Sequence, residues 1–285
     1  MLLNPLTFHS PQTLEEATNL YSGLAEARLL AGGTFLLNSL KLLKRRGIKT
    51  PQNIISLKRV SELKGVSATE KTITIGSMTV INDLFDSPHL TDNFAVLKTV
   101  CRNISTNPIR NMATVGGNLT SRYTWTELGA PLIALDTMMH FVGPNGEEEN
   151  ITVETFFNNS AKTNKILKCL TIPRDRSATV AYQRVKKLSD VDVPLLGVCI
   201  KTNFKNGHFT NTRAAINSGT FFAKRDLVLE EFLNSSKAEE KIAKAALDHL
   251  DTTIYDTRSD DYKKQMFRVS IKNAIMDLIQ RLQLK

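Results

Sequence analysis

The sequence predicts an α+β chain whose mixed α and β region is followed by an antiparallel sheet closed by helices. Three observations predict it. Helix-period and strand-period segments alternate up to Pro173, three strand-like runs joined by tight-turn signals follow, and the remainder keeps helical spacing to the end. At 285 residues the chain exceeds one hydrophobic core, so two or three subdomains are expected, with a boundary near residues 174–178.

Taken in order, residues 13–21 put Leu14, Ala17 and Leu20 at helical spacing behind a Ser-Pro-Gln-Thr start that can cap them, and residues 27–31 form a short apolar strand. Gly32-Gly33-Thr34 interrupts the apolar run and residues 35–44 resume it with helical periodicity, so the glycines stand at a strand-to-helix turn. The basic run 41–49 is then the solvated end of that helix, with Gly47 as its stop. Residues 53–57 and 72–77 read as strands, 79–85 and 93–101 as helices. A second paired-glycine turn lies at Thr114-Val115-Gly116-Gly117-Asn118, followed by a buried helix over 127–137, a strand over 138–142 and a hairpin turn at Pro144-Asn145-Gly146. Residues 158–165 form a polar loop. Segments 179–185, 194–203 and 208–218 make a meander with a tight turn at Asn206-Gly207, and helices cover 223–234, 237–250 and 260–284. No internal repeat or low-complexity tract interrupts this order.

Composition narrows the function. Hydrophobic residues at 41% and charged residues at 23% suit an ordered globular chain, and no apolar stretch approaches the roughly 20 residues that span a bilayer. No charged segment precedes an apolar one at the N-terminus, so the expectation is a cytoplasmic protein without a membrane anchor. The net charge of +9 is scattered rather than focused in a groove, which argues against nucleic acid. Cys101, Cys169 and Cys199 are widely spaced core residues, and the five histidines, His9, His89, His140, His208 and His249, have no metal-ligand spacing. An iron-sulfur cluster, if the pathway needs one, belongs to another chain. Asp190 and Asp192 share one strand face but read as a solvated or salt-bridged pair rather than an acid-base pair.

The two glycine turns carry the chemistry. Successive N–H groups in such a turn point into one concavity and a helix starting there adds partial positive charge, so a diphosphate can be held without a lysine. Around them, Leu29-Leu30-Ala31-Gly32-Gly33-Thr34-Phe35-Leu36, Ile75-Gly76-Ser77-Met78-Thr79 and Asn107-Pro108-Ile109-Arg110-Asn111-Met112-Ala113-Thr114-Val115-Gly116-Gly117-Asn118-Leu119 appear. Ala130-Pro131-Leu132-Ile133-Ala134-Leu135-Asp136 and, much later, Asp256-Thr257-Arg258-Ser259-Asp260-Asp261-Tyr262-Lys263 complete the pattern. Over essentially its whole length the chain resembles the FAD-binding subunits of molybdenum hydroxylases, the xanthine dehydrogenase and carbon monoxide dehydrogenase medium-subunit family.

That resemblance implies a FAD-binding domain over residues 1–176, of the vanillyl-alcohol oxidase type and built of two α/β subdomains meeting near 55–58, then a C-terminal α+β domain over 177–285. It implies that residues 29–36 and 113–118 wrap the FAD diphosphate, with side-chain hydrogen bonds from Thr34, Thr114 and Asn118. Ile104 and Leu167 fall at flavin-ring contacts. Glu127 stands where relatives carry an aspartate that binds a ribose hydroxyl, and Trp125 and Tyr123 in the same loop read as packing residues or as rings lying over the adenine or the ring edge. One of Arg184, Lys186 or Lys187 approaches the flavin, and Lys187 is carried as the contact. The implied activity is electron transfer without contact with the organic substrate: electrons pass from a molybdenum cofactor through [2Fe-2S] clusters on partner subunits to FAD, then to NAD or another acceptor. The alternatives are a stand-alone FAD oxidoreductase of the vanillyl-alcohol oxidase type and a non-catalytic scaffold that has lost FAD, against which the intact glycines argue. Valine at Gly32 and Gly116 is expected to abolish flavin retention and leave the fold largely intact.

Overall fold

The computed structural model describes residues 4–159, 163–188, 191–256 and 259–283. Asp190, Thr257, Arg258 and residues 160–162 of the polar loop, all singled out above, lie outside them. The chain starts with strand β1 (Thr7–His9), helix α1 (Leu14–Gly23), β2 (Ala27–Leu30), α2 (Leu36–Arg45) and β3 (Asn53–Ser56). The strands form a parallel sheet in the order β1-β3-β2. Central β3 buries Ile54 and Ile55, as a strand flanked on both sides must. Thr13 caps α1 by accepting the Glu16 N–H at 3.1 Å. At the far end of α2, Gly47 takes a φ of +67° and the Ile48 N–H reaches the Leu43 carbonyl, the glycine stop that its basic run suggested.

A second sheet follows, built from β4 (Val66–Ala68), β5 (Thr72–Gly76), β6 (Met138–Val142), β7 (Glu148–Thr152) and β8 (Ile166–Pro173), antiparallel in the order β4-β5-β8-β6-β7. Between β5 and β6 run α3 (Ile81–Asp86), α4 (Ala95–Asn103), α5 (Asn107–Arg110), α6 (Val115–Thr120) and α7 (Gly129–Ala134), and α8 (Val153–Asn158) follows β7. Two expectations change here. Gly116 and Gly117 lie inside a helix, in the first turn of α6 with Thr114 as its N-cap, rather than in the paired-glycine turn expected there. The helix expected over 127–137 is confined to six residues, Gly129–Ala134, because Asp136 takes a left-handed φ of 58° and turns the chain into β6.

The C-terminal sheet has the order β12-β11-β10-β9, from β9 (Thr179–Val185), β10 (Leu196–Lys205), β11 (His208–Asn217) and β12 (Lys224–Arg225). Helices α9 (Leu227–Asn234), α10 (Glu240–Ala245), α11 (Thr252–Asp256) and α12 (Asp261–Gln283) complete the chain. Alternation along β10 explains how this sheet is used: Val198 and Ile200 pack against Phe267, Ile271, Ala274 and Leu278 of α12, whereas Cys199 faces the core of the five-stranded sheet. Charge ties the two regions together as well. Arg213 donates to the Ile133 carbonyl and pairs with Asp136 at 3.2 Å, while Arg225 links Glu154 and Glu230.

Asp226 anchors the helical layer. Fully buried, it caps α9 through the Leu229 N–H at 2.9 Å and accepts the Tyr255 hydroxyl at 2.7 Å. Asp226→Ala removes the cap and strands the buried phenol, so chemical denaturation should show a loss of about 2–4 kcal/mol.

Candidate functional site

The two glycine segments, far apart in sequence, meet. A Cβ on Gly32 would lie 2.0 Å from the Met112 carbonyl oxygen, and one on Gly116 would lie 2.7 Å from that of Ser77. Backbone therefore packs directly on backbone at both places. Ala31 reaches the second segment too, 3.5 Å from where a Gly117 Cβ would stand. The expectation that valine at Gly32 and Gly116 spares the fold is corrected: each would drive a side chain into the main chain. Gly33 differs, because its φ of +71° rather than crowding calls for glycine.

The donors at the junction divide unequally. The N–H groups of Gly32, Gly33, Thr34 and Phe35 meet no protein acceptor among the described residues. They precede α2, whose first turn carries no acidic residue and whose N-cap, Phe35, makes no side-chain cap bond. In the second segment the N–H groups are already used: Val115 donates to Thr79 O, Gly116 to Ser77 O, Gly117 to Thr114 Oγ1 and Asn118 to Thr114 O. What that segment leaves open is side-chain chemistry. Asn118 Oδ1 and Ser77 Oγ are buried with no hydrogen-bond partner among the described residues. Ser77 lies in the Ile75–Thr79 motif, which the sequence reading quoted without giving it a role.

Glu127 is buried and bridged to Arg184 of β9, with Nε to Oε1 at 2.5 Å, and Arg184 also donates to the Asp192 carbonyl at 2.7 Å. Burial raises the Glu127 pKa, against the pull of the guanidinium. Its second oxygen, Oε2, and the nearby Tyr182 hydroxyl are buried without partners among the described residues, and burial raises the phenol as well. Asn217 holds the loop from behind, donating to the Glu127 carbonyl at 3.2 Å and accepting the Ala130 N–H at 3.0 Å. Sequence reasoning had no signal for Tyr182 or Asn217, since both act across the sheet interface.

The remaining residues spread out. Leu29, Leu30 and Leu36 are half-buried around the first turn, and Ala113 and Thr114 lie at the second. Ile104 ends α4 half-buried, its carbonyl held at 3.1 Å by Arg110, whose guanidinium also grips Arg102 and Ser105 carbonyls. Leu167 is packed inside the core of the five-stranded sheet. Of the three basic candidates, Arg184 turns inward while Lys186 and Lys187 are exposed. Lys187 and Leu188 give their N–H groups to Asp192 Oδ2, which holds that carboxyl below its usual range. Burial pushes the Cys101 thiol up to about 12, as suits a core residue. Among the described residues no group of side chains could hold a metal ion.

Glu127→Ala would leave Arg184 buried and uncompensated, at a cost of about 3–5 kcal/mol in equilibrium unfolding. Replacing both residues by methionine should recover most of that loss.

Comparison with known proteins gives this arrangement its family. Residues 4–175 match the model of the FAD binding domain in molybdopterin dehydrogenase. The chain is 27% identical over 282 residues to the carbon monoxide dehydrogenase medium chain of Hydrogenophaga pseudoflava, covering 94% of this chain and 95% of that one. It is 26% identical over 216 residues to the xanthine dehydrogenase FAD-binding subunit of Escherichia coli, covering 73% and 72%. A solved structure of the Hydrogenophaga pseudoflava carbon monoxide dehydrogenase, in a form lacking the Mo-pyranopterin moiety of the molybdenum cofactor, superposes with a TM-score of 0.88 at 27% identity over 99% of both chains. The α+β architecture, the convergent glycine segments and these matches agree, and the chain belongs to the FAD-binding family of the molybdopterin dehydrogenases, as an FAD-dependent oxidoreductase subunit.

Proposed function

We propose that this chain is the electron-transfer subunit of a molybdenum hydroxylase, receiving electrons from [2Fe-2S] clusters on an iron-sulfur subunit and passing them to NAD or another acceptor. A molybdopterin-binding subunit would oxidise the organic substrate. The observation that carries the reading is the junction itself, where four N–H groups at the start of α2, with no protein acceptor among the described residues, lie beside the segment holding Asn118. Those donors fit a diphosphate, and the unpartnered Asn118, Glu127 and Tyr182 atoms fit the hydroxyl-bearing and ring portions of FAD. When bound, FAD supplies the redox chemistry, exchanging electrons singly or in pairs.

The residues of the chain bind, orient and exclude water. Gly32, Gly33, Thr34 and Phe35 hold the anion, and Thr114 and Asn118 complete the cradle from the other side. Arg184, paired with Glu127, holds that carboxyl in place at the buried end. Lys187 takes no part in this reading, because Arg184 occupies the inward position on its strand. Leu167 serves as core behind the site, and Ile104 as its half-buried wall. The chain divides into a FAD-binding domain of residues 1–176, its subdomains meeting near 55–58, and a C-terminal domain of 177–285. A stand-alone oxidase is disfavoured, since relatives matched over nearly their full length are named as a medium chain and a FAD-subunit. Within this reading the assembly works in the cytoplasm.

The purified chain, mixed with FAD and desalted, should keep the visible absorption of oxidised flavin and release FAD on denaturation. Protein that stays colourless even when co-expressed with its partner subunits would overturn the proposal. Asn118→Ala should weaken FAD binding by about tenfold, one hydrogen bond's worth, yet leave the unfolding midpoint of the cofactor-free protein unchanged or raised, because Oδ1 has no partner there to lose.

A further inference from the structure

An aromatic ladder rises beside the cradle. Phe35, the N-cap of α2, packs on Tyr123 with ring centroids 3.9 Å apart, and Tyr123 stacks on Trp125 at 4.8 Å with the planes only 12° from parallel. Trp125 remains 43% exposed. Among the described residues no second ring covers its outer face.

The ladder is held from several directions. Phe35 is itself the N-cap of α2, so its contact with Tyr123 fixes the ladder to the helix whose start forms the cradle. Arg122 begins the loop with a left-handed φ of 53°, donates to the Phe157 carbonyl and lies over the Phe222 ring at 4.6 Å. Glu127 ends it in the buried pair with Arg184. A loop pinned at both ends offers a flat π surface with little motion to lose on binding.

Resting on the FAD reading above, we propose that Trp125 is the stacking platform for the adenine of the cofactor. The two ends of FAD make different demands. The isoalloxazine needs enclosed hydrogen-bonding surroundings, and the buried unpartnered groups, Glu127 Oε2 and the Tyr182 hydroxyl, stand at the inner end of the loop. The adenine needs only a π face within a ribose's reach of the diphosphate. Trp125 supplies that face at the outer end, two ring spacings from Phe35. A purine is a suitable occupant because stacking on indole requires no donor-acceptor match, and Phe35, the base of the ladder, is itself one of the four residues that offer N–H groups to the anion.

Trp125 is the only tryptophan of the chain, so its emission reports on this position alone. A bound flavin quenches tryptophan from a distance by energy transfer, whereas ADP, which does not absorb there, acts only by contact. Titration of the cofactor-free chain with ADP should therefore quench or shift Trp125 emission. Trp125→Leu should weaken FAD binding by about tenfold, within the range for losing one base stack, and Trp125→Phe should restore most of it. If FAD binds but ADP leaves the emission unchanged, or Trp125→Leu keeps wild-type affinity, the platform is refuted while the cofactor reading stands. A chain that binds no FAD defeats both. Emission that moves only when an iron-sulfur subunit is added would make the ladder a docking surface instead and overturn the proposal.

Discussion

Everything at the site depends on two places where one stretch of main chain lies against another with no room for a side chain. Gly32 abuts Met112 and Ala113, and Gly116 abuts Ser77. The first contact joins the parallel sheet to the helices that precede β6, bringing residues about eighty positions apart into one cradle, and the second packs α6 onto the end of β5. Main chain approaching main chain at such range is open only to glycine, since any Cβ would overlap a carbonyl oxygen. The site is thus first a packing solution, and its free donors are what the packing leaves over.

Much of this was legible before any coordinates. The strand-glycine-helix passage from β2 to α2, the turns at Asn145-Gly146 and Asn206-Gly207 and the long final helix all carry local signals, and the structure has them there. What escaped was set by partners distant in sequence. Strand β8 is central in its sheet, and its mixture of Lys168, Cys169 and Thr171 with apolar residues does not alternate cleanly, so nothing local marks it as a strand. Helix α6 is too short for periodicity and begins on two glycines that propensity scales count against it. Of the candidate site, the glycine segments, Thr114 and Asn118 were readable from motif. That Arg184 rather than Lys187 turns inward follows from the pairing of β9 and β10, which the sequence does not display.

Buried charge gives the interface between the sheets its definition. Glu127–Arg184 marks one fully buried point of contact, and Arg213 with Asp136, Glu154, Arg225 and Glu230 a second, partly buried one whose Asp136 reaches solvent. Such pairs gain little net stability after desolvation, but a mismatched docking would bury each charge alone, which is far costlier. The C-terminal sheet thereby acquires a single register against the five-stranded sheet, with Cys199 and Ala215 completing the shared core.

The spent donors of the second glycine segment bear on how such chains drift over evolution. Those N–H groups serve the fold, and a Cβ on Gly116, Gly117 or Gly32 would run into Ser77, Thr114 or Met112, so selection for a stable fold alone would preserve all three. A descendant that had abandoned its cofactor would keep the paired glycines unchanged. Intact glycine pairs are therefore a record of architecture, and the positions free to decay first are those that answer only to the ligand, Asn118 foremost.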